Sequence, residues 1–296
     1  MKSKNSSHGT AFIILAAIFW GSMGIFVRSL SAYGLSSIQI ASVRLTVSAL
    51  LMALILLYKE PSGFRISRRD VPLFLALGLI SVLFFTVCYF AAIELMTLSA
   101  AAILLYTSPI WVMLMSLIVF KEKFSTKKLA ALILAFLGCV LVSGIGSGGI
   151  TPLGVLVGLG AGIGYGLYSI LSSIALRRYS PLTVTAYTFI IAAGGSWFIC
   201  TPADMISHFA AAGSIWTLTL LVFATGLITA VVPFMCYNLG LKTVEASRAA
   251  IFATIEPVVA SALGVIVFHE TLTVSALLGI ILVLSGVILL SVNVKK

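Results

Sequence analysis

An internal offset of 148 residues constrains this chain more than any other feature of its sequence. Ser99, Ala101-Ala102-Ile103, Pro109, Ile118-Val119-Phe120 and Glu122 recur in the same order and spacing as Ser247, Ala249-Ala250-Ile251, Pro257, Ile266-Val267-Phe268 and Glu270. Laid over residues 88–143 and 236–291, the offset gives 17 identities in 56 positions without a gap. Self-similarity over so long a period marks a duplicated structural unit. Each repeated stretch is also an apolar run long enough to cross a bilayer. The whole chain follows suit, with 61% hydrophobic and only 9% charged residues among its 296. A soluble domain is about a quarter charged. The expected fold class is therefore an all-α integral membrane protein.

Ten apolar segments have spanning or near-spanning length, at roughly 10–27, 38–58, 71–93, 100–120, 129–143, 153–176, 182–200, 216–239, 248–268 and 274–292. The fifth is short and must borrow from its flanks. The N-terminal run lacks a small-residue cleavage site and reads as a retained first helix. Taken at alternate ends of the segments, sixteen of the eighteen Lys and Arg residues fall on one side. Arg28 alone falls on the other, and Arg44 lies inside the second segment. The positive-inside rule then puts both termini in the cytoplasm of a cell with this protein in its inner membrane. Five crossings per unit make the second unit (147–296) an inverted copy of the first (1–146). The charges adjust accordingly. Lys121, Lys123, Lys127 and Lys128 become His269, Thr271, Ser275 and Ala276, whereas the cation-free loop before residue 100 gains Lys242 and Arg248 in its counterpart.

The net charge of +10 reports topology here, and nucleic acid is not an expected partner. Cys88, Cys139, Cys200 and Cys236 lack ligand spacing, so neither a metal nor a disulfide framework is expected. His8, His208 and His269 lie in tails or loops, and the two aspartates, Asp70 and Asp204, form no intramembrane pair. An intramembrane enzyme thus lacks its catalytic groups. A channel lacks a filter loop or a ring of like charges. No cofactor is implied.

The five-helix duplication, the mid-helix proline followed by Ile-Val-Phe-x-Glu in both units, and Arg44 in the second helix resemble the drug/metabolite transporter superfamily, EamA type. The likeness covers essentially the whole chain. It implies two inverted halves around a central cavity, lined mainly by helices 1, 3, 4, 6, 8 and 9. It also implies alternating-access transport of a small amphipathic metabolite, an amino acid or relative, usually outward. Import of a metabolite, nucleobase or organic cation is the alternative. Two complete units make a monomer sufficient, and protons are the possible coupling ion.

Glu256 stands out among the residues on those helices. It lies about 12 Å inside the inner end of helix 9 by helix rise, and its first-unit counterpart is the uncharged Ser108. A charged carboxylate at that depth is costly unless it faces a wet cavity or finds a partner. It reads either as a proton or substrate-amine site, or as an acceptor filling the gap that Pro257 leaves in the helix ladder. Trp20, Tyr89, Tyr106, Trp111, Tyr165 and Tyr168 are in-span aromatics suited to an amphipathic cavity wall, with lipid or core packing as the alternative for each. Asn238, near the inner end of helix 8, faces the cavity or the headgroups. Arg44 is a gate or a contact for a substrate carboxylate, or it snorkels to the outer interface. Gly154, Gly158, Gly162 and Gly166 form a stripe expected to pack closely against a neighbouring helix.

Overall fold

The computed structural model describes residues 2–123, 125–144, 151–200, 209 and 214–292, and every regular element among them is helical. The expected boundary between units at 146 and 147, together with Asp204 and His208, lies outside the described residues. Among the described residues, nine helices are long and apolar enough to cross a membrane: α1 (Ser7–Ser31), α2 (Ser37–Lys59), α3 (Arg68–Leu95), α4 (Leu98–Val119), α5 (Thr126–Ser143), α6 (Pro152–Ala175), α8 (Ile215–Leu241), α9 (Ala246–Phe268) and α10 (Val274–Ser291). Between them, α7 (Pro181–Ser196) has 16 residues. At about 1.5 Å per residue it is shorter than a typical hydrocarbon core. Leu50, Leu54, Ile118, Phe198 and Ile266 are among the many large apolar residues exposed on the outside. That exterior suits lipid and not water, and the chain is a multi-pass membrane protein.

Short polar residues start these helices. Ser36 and Gln39 form a reciprocal capping box on α2, while Thr97, Thr151, Ser180 and Thr273 each accept a backbone N–H in the first turn of α4, α6, α7 and α10. Each cap satisfies a donor that lipid would leave bare. Lys121 and His269 end α4 and α9 with positive φ angles of 51° and 55°. Those two positions are 148 apart.

The interruptions within helices repeat at the same offset. α4 breaks at Tyr106, before Pro109, and α9 breaks at Thr254, before Pro257. α8 passes into a π-helical turn over Leu227–Val231, just before Pro233. α3 has a π-helical stretch over Ala76–Phe84, which contains the equivalent positions but no proline. Each of the three in-span prolines, Pro109, Pro233 and Pro257, thus follows an interruption of its helix. The π stretch in α3 and a break of α1 at Ser22 were not foreseen.

Helix pairing follows one rule. α2 packs on α7, α4 on α9 and α5 on α10, while α1 packs on α8 and α3 on α6. Apolar side chains gain little by leaving lipid for protein, so close backbone approach and hydrogen bonds must hold such a bundle. At the α5–α10 crossing, a Cβ on Gly138 would lie 2.7 Å from the Gly279 carbonyl oxygen, and one on Gly279 would lie 2.6 Å from that of Gly138. The α6 stripe behaves as expected. A Cβ on Gly158 would come within 2.5 Å of Leu104 and one on Gly162 within 2.6 Å of the Leu104 carbonyl, so α6 lies directly against the break in α4.

Candidate functional site

The breaks in α4 and α9 meet α1, α6 and α8 at the middle of the bundle. Gly21 lets α1 touch α9 there: a Cβ at this position would stand 2.8 Å from the carbonyl oxygen of Glu256. Trp20 is thereby set beside Glu256. The close seat of α6 on α4 brings Tyr165, Tyr168 and Ser169 to the same place. Trp20 forms edge and tilted contacts with Tyr165 (centroids 6.1 Å apart), Phe234 (5.3 Å) and Tyr237 (5.2 Å). The result is a central cleft walled by aromatic rings and closed on one side by the α9 break.

Glu256 is about 15 Å along α9 from its start at Ala246 and lines this cleft. The Tyr165 hydroxyl donates to its Oε2 at 3.1 Å, which is its one hydrogen bond among the described residues. It forms no salt bridge there, whereas Asp70, Glu122, Glu245 and Glu270 are all ion-paired. Two further hydrogen-bonded pairs flank it. Ser169 and Tyr237 share a hydrogen at 2.7 Å, and the Asn238 amide donates to Tyr168 Oη at 2.8 Å and to Thr185 Oγ1 at 2.9 Å. The space that water can occupy in the cleft is only about 20 Å³, enough for about one molecule. At the cation-rich end of the bundle, a separate open vestibule of about 320 Å³ lies between Glu122, Arg177, Lys242 and Glu245.

Of the expected residues, Trp20, Tyr106, Tyr165, Tyr168 and Glu256 all line the cleft. Tyr89 is outside that lining but next to it, beside Phe90 and in one cluster with Phe85, Leu105 and the cleft residue Tyr165. Trp111 does not line it either: its indole N–H donates to Thr107 Oγ1 at 3.1 Å. Asn238 is fully buried and faces neither cleft nor headgroups, since α7 and Tyr168 enclose it. Arg44 is 4% exposed and does not snorkel. Its Nη1 approaches Met23 Sδ at 3.8 Å, and its Nε has no hydrogen-bond partner among the described residues. Tyr237, Ser169 and Thr254 line the cleft without having been singled out. Tyr237 repeats Tyr89 at the offset, so identity between the copies gave no sign of which one lines the cleft.

Two glutamates at equivalent positions close the ends of α4 and α9. Glu122 accepts from Ser247 and meets Lys128 at 3.1 Å, and Lys128 also meets Glu245 at 2.6 Å. Glu270 meets Arg28 at 2.6 Å, with the Arg28 guanidinium 4.3 Å over the Phe268 ring. Glu122 and Lys128 are largely buried, whereas Glu245, Arg28 and Glu270 are about half exposed.

Comparison with known proteins places this geometry in context. The sequence model of the EamA-like transporter family matches residues 7–144 and again residues 152–292. An uncharacterized transporter of Archaeoglobus fulgidus is 31% identical across 95% of this chain and 96% of its own length. The uncharacterized transporter YwfM of Bacillus subtilis is 29% identical across 96% and 94%. A solved crystal structure aligns with a TM-score of 0.80 over 96% of both chains at 19% identity, a likeness of fold alone.

Proposed function

The chain belongs to the EamA-like transporter family, and from that premise we propose that it is a secondary transporter which exports a small amphipathic metabolite, an amino acid or a related compound, by alternating access. The observation that carries this reading is a central, aromatic-walled cleft holding one unpaired carboxylate and almost no room for a guest. A site closed to about one water must open to take and release a substrate, and the helix breaks at Tyr106 and Thr254 border it.

In this reading the protein has ten crossings, built as two inverted five-helix units, residues 1–146 and 147–296. The reciprocal pairing of equivalent helices supports that symmetry, as do the breaks and positive φ angles repeated at the 148-residue offset. The Glu122–Lys128 and Glu270–Arg28 pairs, at opposite ends of the bundle, are suited to yield in turn as each side opens. Both termini face the cytoplasm, the inner membrane of the cell is the site of action, a monomer suffices, and protons are the coupling ion. A cysteine at Thr271 is expected to react with an impermeant maleimide in intact cells, and one at Ser67 only after permeabilisation. Labelling at Ser67 in intact cells would overturn the orientation.

Transport itself is tested by overexpression against a panel of toxic amino-acid and amine analogues. Raised tolerance to one class, with a lower cytoplasmic level of that compound, is the expected outcome. Faster uptake in energised cells would reverse the direction and favour an importer. No change in either flux across the panel would count against transport of this class.

A further inference from the structure

The central cleft contains a single ionisable charge, the Glu256 carboxylate, and among its lining residues there is no Lys, Arg or His. A negative group at that depth is expensive unless something positive approaches it. The nearest walls are the π-faces and edges of Trp20, Tyr165 and Tyr237, and Tyr106 also lines the space. A cation gains from aromatic faces, more so when both are desolvated, and a carboxylate supplies the charge-assisted hydrogen bond. A substrate carboxylate would find the opposite environment. Its negative charge would sit beside Glu256 with no cation among the residues that line the cleft. Arg44, the buried guanidinium of α2, packs against Met23 instead of lining this space.

Resting on the transporter reading above and narrowing its substrate, we propose that the cleft selects a monocationic amine that lacks a carboxylate, its ammonium on Glu256 and its apolar body between Trp20, Tyr106 and Tyr237. A decarboxylated amino acid fits this description better than the zwitterion from which it derives. The hydroxyl of Tyr165 holds the carboxylate in place from the far side, which makes Tyr165 a positioning residue.

Two matched series test this. One consists of phenethylamine, phenylalanine and 3-phenylpropanoate; the other of isoamylamine, leucine and 4-methylpentanoate. Purified full-length protein is titrated with each compound by thermal shift, because a ligand of the native state stabilises it by mass action. In each series the amine is expected to bind at least about tenfold more tightly than the zwitterion, equivalent to about 1.4 kcal/mol, and the acid not at all. In Glu256→Gln, checked for an unchanged elution profile, the lead of the amine should vanish. Tyr165→Phe should weaken amine binding less and keep the order. Equal or tighter binding of the zwitterion, lost in Arg44→Gln, would overturn the proposal and leave the transporter reading intact. Binding of neither amine would also overturn it. Absence of any flux in the cellular assay would sink the transporter reading itself.

Discussion

Glu256→Gln is expected to reduce transport by about 30-fold or more while leaving the protein folded. Glutamine keeps the shape of the side chain and still offers the Tyr165 hydroxyl an oxygen to bond, so the 3.1 Å contact can persist. What it removes is the only charge in the cleft. With a cationic substrate bound, Glu256 would be one member of a buried charge pair, whose loss costs about 2–5 kcal/mol, corresponding to factors from about 30 to several thousand. Flux in proteoliposomes at matched protein density measures the first quantity, and thermal unfolding the second. A purely structural role at Pro257 predicts the reverse pattern, with near-normal flux and a lower unfolding temperature. The structure already weighs against that role, because Glu256 bonds a tyrosine of α6 and no backbone group near Pro257.

The second large effect concerns stability. Gly138→Leu, and separately Gly279→Leu, should abolish recovery of monodisperse protein. At this crossing the atom that a side chain would strike is backbone: the Gly279 carbonyl at 2.7 Å for one and the Gly138 carbonyl at 2.6 Å for the other. A flexible side chain can rotate out of the way, but two helix backbones must move apart, taking the whole α5–α10 contact with them. Overpacking commonly costs about 1–3 kcal/mol, and displacement of a backbone belongs at or beyond the top of that range. Gly24→Ala provides the contrast, since nothing lies within 4 Å of its added carbon; it should elute and unfold as the parent does. If Gly138→Leu elutes normally, the α5–α10 crossing is not the contact described.

Much of the fold was legible in the chain because lipid imposes strong rules on it. Length and hydropathy locate helices, prolines locate kinks, and an exact 148-residue offset exposes the duplication. The π stretch over Ala76–Phe84 was hidden because no proline or glycine pair accompanies it; only its counterpart beside Pro233 had a visible cause. The site was legible in part. Glu256, Trp20, Tyr106, Tyr165 and Tyr168 were found by depth and residue type, but Tyr89, Trp111 and Asn238 were not separated from them. In a soluble helix the apolar stripe tells which face turns inward. Here lipid and protein interior are both apolar, so hydropathy gives depth along a helix and very little about direction around it. Tyr89 and Tyr237 show this, identical in type and repeat position, one lining the cleft against Trp20 and the other in the adjoining cluster with Tyr165.

The paired left-handed residues at the ends of α4 and α9 bear on what holds those turns. One is lysine and the other histidine, and neither is the glycine that such a backbone angle favours. The residues at the two helix breaks differ as well, tyrosine in one half and threonine in the other. Side chains at these points have diverged while the path of the main chain has stayed the same. In each half the turn is closed by the backbone, with the Glu122 N–H donating to the Ser116 carbonyl and the Glu270 N–H to that of Gly264, so the helix end and not the freedom of a glycine holds that path.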